Sequence, residues 1–104
     1  MAITSLLKLP VVGYESEAAF VKDLDAMMEV AKKQPGFISA KVWKSPEDTD
    51  PLVYMVESNW ESKAHMALME HQHDHEAIMD AYPLAKTIEH LRLVPWGAPP
   101  PSPA

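Results

Sequence analysis

Cysteine is absent from these 104 residues. Its absence excludes disulfides, thiolate metal sites and a cysteine nucleophile. It suits a cytoplasmic setting, since oxidising compartments favour disulfides. No apolar run reaches bilayer-spanning length. The opening MAITSLLKLP carries one lysine after its short apolar run, with no basic stretch before it. Neither a signal peptide nor a membrane anchor is expected. Clusters of lysine and arginine are missing too. With 9 basic against 15 acidic residues, the formal net charge is −6. Such a surface repels phosphate backbones, so nucleic acid is not an expected partner.

What is present suffices for one core. Hydrophobic residues make up 47% of the chain, and the length is that of a single small domain. A domain this short leaves much of its surface uncovered, and self-association would add burial.

Periodicity divides the chain into elements. Ile3 to Leu9 alternates and reads as a strand, with Ile3, Ser5, Leu7 and Leu9 on one face. Ser16 is a natural N-cap. Beyond it Phe20, Leu24, Met27, Met28 and Ala31 recur at helical spacing. Pro35-Gly36 ends that helix. Phe37 to Lys44 is a second strand. SPEDTDP, residues 45 to 51, is turn chemistry. Leu52 to Trp60 is a third strand, with Leu52, Tyr54, Val56 and Trp60 on one face. Glu61-Ser62 opens a second helix, running to about Tyr82, with Ala64, Leu68, Ile78, Met79 and Tyr82 on its apolar side. Thr87 to Val94 is the last strand, alternating Ile88, His90 and Arg92 against Glu89, Leu91 and Leu93. Residues 95–104, PWGAPPPSPA, are too rich in proline for helix or sheet and form an extended tail. Strand, helix, strand, strand, helix, strand is the ferredoxin-like α+β arrangement, βαββαβ with an antiparallel four-stranded sheet. With both helices on one face, the other sheet face needs cover, and a homodimer stacking two sheets supplies it.

Several segments together carry a resemblance. They are Gln34-Pro35-Gly36-Phe37-Ile38 after a helix, Ser45-Pro46-Glu47-Asp48, and a strand ending Asn59-Trp60-Glu61-Ser62 before a helix with histidines. Over residues 3 to 94 the chain resembles the antibiotic biosynthesis monooxygenase family. The resemblance implies a dimeric α+β barrel. The family it resembles includes cofactor-independent oxygenases of polyketide aromatics or quinols, haem-degrading monooxygenases, and many proteins with no known activity. The haem-degrading branch uses an asparagine on the first strand and a tryptophan and histidine on the second helix. Here the first strand has no asparagine, and Met69 and Met79 fall near the other two positions. In another branch a histidine four turns past the W-E-S motif matches His75.

HQHDHEAIMD, residues 71–80, places three histidines in five positions. In one regular helix His71 and His75 share the face of Leu68 and Tyr82, and His73 projects oppositely with His65 and Met69. Two inward imidazoles fall short of the three ligands of a catalytic zinc. Met79 stands where the zincin signature needs its second histidine. Glu70 to His73 gives one Glu-x-x-His where a di-iron site needs two. No metal site is therefore expected. As an acid/base pair, His71 and His75 are suited to exchanging protons with a phenol or hydroquinone. The anion formed can pass an electron to O₂ in an apolar pocket. Trp60, Tyr54, Asn59 and Leu68 are the candidate substrate-binding residues, with Trp43, Phe37 and the methionines as further lining. Each has a plainer reading as a packing or strand-terminating residue. Glu57, interrupting an apolar strand, reads either as a cross-sheet partner of Lys41 or Arg92 or as a buried base. Two rival functions stay open: a module that binds a small apolar ligand without turnover, and haem binding with His75 or His71 as axial ligand.

Overall fold

In ITSLLKLP the alternating pattern becomes strand β1, Ile3–Pro10. Its inward residues Ile3, Ser5, Leu7 and Leu9 are all buried and the intervening ones are not. This computed structural model describes residues 2–96. Helix α1, Glu17–Lys32, starts where Ser16 Oγ accepts from the Ala19 amide at 3.1 Å. It buries Phe20, Leu24, Met27, Met28 and Ala31, the stripe expected from the spacing. Strands β2, Phe37–Lys44, and β3, Val53–Trp60, follow. The last strand, β4, covers Glu89–Leu93. The sheet order is β2-β3-β1-β4, with every neighbouring pair antiparallel. All helices lie against one face, and the fold is ferredoxin-like α+β.

The second helical region departs from expectation. It is two short helices, α2 at Lys63–Glu70 and α3 at His73–Asp80. Gln72 adopts an extended conformation, and its side-chain Oε1 accepts from the His75 amide at 2.9 Å. Gln72 thus acts as the N-cap of a new helix. Asp74 and Glu76 occupy that helix's first turn, where acidic side chains complement the dipole. The break resets the helical phase. In α2 the buried residues are Met66 and Met69, and in α3 only His75 is buried.

Two segments distant in sequence meet at the end of β3. The Glu61 amide donates to the Gly36 carbonyl at 2.8 Å, and Ser62 Oγ accepts from the His65 amide at 3.2 Å to cap α2. The P-G-F turn and the W-E-S strand end are therefore one packed unit.

The apolar core falls into two clusters. One gathers Leu7, Leu9, Phe20, Leu24, Tyr54, Val56 and Tyr82 under α1. The other gathers Ile3, Ala31, Trp60, Met66 and Met69. The outer sheet face carries Leu6, Trp43, Val53, Met55, Leu91 and Leu93 in the β1–β3, β2–β3 and β1–β4 registers. Trp43, Leu91 and Leu93 are exposed. Glu57 sits on this face, directly across from Lys41, whose Nζ lies 3.9 Å above the Trp43 ring. Arg92 is on the other face. Of the expected proline-rich tail, Trp96 is fully solvent-exposed, and residues 97–104 lie outside the described residues.

Candidate active site

Between the two core clusters lies a cavity of about 270 Å³. Leu7 and Val56 of the sheet, Met27 and Met28 of α1, and Met69 and Met79 of the last two helices supply most of its apolar wall. Unbranched methionines leave an adaptable surface. Among the described residues three polar side chains are buried, Ser5, Ser58 and His75, and all three line this cavity. A buried polar group is the informative exception in a small core.

His75 is buried, and its Nδ1 has no hydrogen-bond partner among the described residues. Leaving such an atom unsatisfied costs roughly 1–3 kcal/mol. Burial pushes the imidazole below its ordinary pKa. The charges of Glu70 and Glu76 pull the other way, and His90 adds to the lowering. His75 is consequently neutral near pH 7, with a ring nitrogen free to accept a proton.

A second polar group faces the same space from β4. Ser5 Oγ and His90 Nε2 are 2.6 Å apart. Glu70 Oε2 lies 3.5 Å from that same nitrogen and receives Arg92 Nη2. His90 is also held below its ordinary pKa, by burial first and then Arg92, with Glu70 opposing. Ser5, His90 and Glu70 do not form a nucleophilic triad. There the acid holds the ring nitrogen opposite the one facing the serine, whereas here both approach Nε2. Among the described residues no three His, Asp or Glu side chains converge as a metal site would require.

Of the catalytic and substrate-binding residues singled out from sequence, only His75 lines the cavity; of the further lining, Met27, Met28, Met69 and Met79 do, and Trp43 and Phe37 do not. His71 caps the C-terminus of α2, its side chain is 78% exposed, and its Nδ1 contacts Glu76 Oε2 at 3.2 Å. The break at Gln72 separates it from the face of His75, so the expected imidazole pair becomes a single imidazole. Leu68 is 67% exposed for the same reason. Trp60 is completely buried, edge-on to Phe37 at 5.4 Å. Tyr54 packs on Phe20 and donates its hydroxyl to Glu17. Asn59 lies on the outer face, accepting from Thr4 Oγ1 at 2.6 Å and donating to Ser39 Oγ at 3.1 Å. These four are packing or surface residues. Ser5, Ser58 and His90 are not among the residues that the sequence pattern singles out. For the serines the signal was available: each is a polar residue at an inward position of an otherwise apolar alternating strand, whereas His90 shares the inward face of β4 with Arg92.

The family model described as antibiotic biosynthesis monooxygenase matches residues 12–81, more than half of the chain. The chain belongs to that family. Solved structures of similar fold include SnoaB, a cofactor-independent oxygenase from Streptomyces nogalater. SnoaB is 20% identical, with a TM-score of 0.76 over 95% of this chain and 97% of that one. Rv0793 from Mycobacterium tuberculosis is 14% identical, with a TM-score of 0.74 over 91% and 95% of the two chains. A ferredoxin-like protein from Mesorhizobium loti is 10% identical, with a TM-score of 0.70 over 93% and 100%. No curated protein matches the sequence significantly. Within this monooxygenase family member, His75, Ser58 and Glu70 fall inside the matched span; Ser5, His90 and Arg92 fall outside it.

Proposed function

We propose that the protein is a cofactor-independent monooxygenase of a hydroxylated aromatic or quinol-type small molecule, with His75 as general base. The observation that carries this is a buried histidine, its Nδ1 without a hydrogen-bond partner among the described residues, in the wall of a mostly apolar cavity. Family membership and the SnoaB fold likeness support it. The substrate hydroxyl gives its proton to His75, and the anion is held away from bulk water. One electron passes from the anion to O₂, the radical pair closes as a ring peroxide anion, and the proton held by His75 returns to it to give a hydroperoxide. Loss of the ring C–H proton and of hydroxide leaves a carbonyl and one water. One oxygen atom is thus inserted and the other reduced by the substrate's own electrons, so no external reductant is needed.

Haem, which the family's degrading branch would bring, does not fit this cavity. At about 270 Å³ it lies at the lower edge of small-molecule sites, about 300–1,000 Å³. Arg92, the nearby cation, is already taken by Glu70. We also propose that two copies pair through the outer sheet face, where Trp43, Leu91 and Leu93 are exposed. The lack of cysteine supports a cytoplasmic setting. Among the described residues no helix is long and apolar enough to cross a membrane.

Oxygen uptake with a panel of naphthols, anthrones and hydroquinones, comparing the wild type with His75→Ala, tests the assignment. Uptake that depends on His75 is the expected result. Binding without uptake would leave a ligand carrier.

A further inference from the structure

The cavity floor holds a feature that the proton-transfer step does not use. Ser5 and Ser58 are direct cross-strand partners in the β1–β3 register, both buried and both lining the cavity. Directly opposed residues on one face have Cβ atoms about 5 Å apart, so one substrate oxygen can reach both hydroxyls.

Each serine oxygen is already engaged as an acceptor, which orients its proton. Trp60 Nε1 donates to Ser58 Oγ at 2.9 Å. No acceptor for the Ser58 hydroxyl proton is present among the described residues. Ser5 Oγ sits 2.6 Å from His90 Nε2. The Glu70 carboxylate, 3.5 Å from the same nitrogen, favours the tautomer with its proton on Nε2. In that tautomer Ser5 accepts from His90 and keeps its own O–H to give. Two donors fixed by a tryptophan on one side and a histidine on the other have the character of an oxyanion site.

We propose that Ser5 and Ser58 form a two-hydroxyl cradle for the oxygen that becomes negative when a hydroxyaromatic ligand ionises. His90 and Trp60 are its positioning residues. This deepens the functional reading above and rests on the same cavity. It narrows the ligand to uncharged molecules whose ionised oxygen is conjugated with the ring, because Glu76 and Asp80 also line the cavity and disfavour a carboxylate.

The test reads ligand ionisation, which packing damage alone does not move. 4-Nitro-1-naphthol, whose phenolate absorbs in the visible, is bound to wild type, Ser5→Ala, Ser58→Ala and the double variant, and titrated. A hydrogen bond to a charged group contributes about 1.5–3 kcal/mol, and a pKa unit corresponds to about 1.4 kcal/mol. Each single change should therefore raise the bound pKa by about one to two units. Ser58→Thr, which keeps the hydroxyl, should restore it. Ser5→Ala carries the test alone if Ser58→Ala fails to fold. An unchanged bound pKa in folded variants overturns the cradle even if His75-dependent oxygen uptake persists. A serine-dependent pKa without oxygen uptake keeps the cradle and removes the oxygenase. Failure of the probe to bind removes both.

Discussion

Arg92 Nη2 donates to both carboxylate oxygens of Glu70, at 3.1 and 3.0 Å, and so ties β4 to the end of α2 at the mouth of the cavity. The contact also cancels the one cation that lines the site. Arg92 is 43% exposed, so the pair is partly screened and contributes about 0.5–1 kcal/mol. Glu70→Gln is expected to lower stability by about that amount, read as a urea midpoint. It should also strengthen binding of a hydroxynaphthoic acid relative to the matching naphthol, because Arg92 regains its charge. Equal selectivity in the variant would show that this pair does not set the cavity's charge preference.

Burial depresses the pKa of both His75 and His90, and the direction fixes how stability responds to acid. A histidine held below its unfolded value, about 6.5, contributes nothing unfavourable while both states are neutral. As pH falls through 6.5 the unfolded chain takes up protons first, and stability is lost until the lower folded pKa is reached. The melting temperature should therefore fall between pH 7.5 and 5. His75→Leu should flatten part of that fall, since it removes one of the two groups. An unaltered pH profile in that variant would mean His75 is not the buried neutral imidazole described.

Much of the architecture was readable because strands and the first helix obey local periodicities. Ile3 to Leu9 alternates in its sequence as it does in its burial, and the Phe20–Ala31 stripe needs only a pitch of 3.6. The site was less readable for two physical reasons. A helical phase holds only while the helix is unbroken, and Gln72, an uncommon N-cap, breaks it between His71 and His75. An aromatic at a strand end also looks the same whether it walls a pocket or fills a core. Trp60 fills the core, and its contribution to the cavity is indirect, through the hydrogen bond to Ser58.

Gly36 has φ +83°, and a Cβ built there would come within 2.3 Å of His65 Cγ. Gly36→Ala therefore combines left-handed backbone strain with a collision. The strain costs about 1–3 kcal/mol, and the collision adds to it. The double variant Gly36→Ala/His65→Ala should recover the steric part only. Chemical denaturation of the four proteins of this cycle separates the two. Full recovery would show that the backbone conformation carries no strain.

Leu91 and Leu93 alternate with His90 and Arg92 on β4 and face outward, beside the register position of Leu6 on β1. If two sheets stack there, Leu91→Glu/Leu93→Lys should convert a dimer into a monomer in sedimentation velocity, with the melting temperature lowered by loss of burial. A wild-type protein that is monomeric at all concentrations would remove the pairing and leave the fold intact.

A single-turnover experiment reaches the proposed proton transfer from substrate to the buried imidazole of His75. Anaerobic protein loaded with a naphthol or anthrone is mixed with oxygenated buffer, and product and consumed O₂ are followed across pH. One O₂ should be consumed per product, at a rate that falls at acid pH as His75 protonates. In His75→Ala the rate should drop by roughly 100-fold or more, as for loss of a general base. Turnover by His75→Ala at the wild-type rate, with the same pH profile, would contradict the proposed proton transfer.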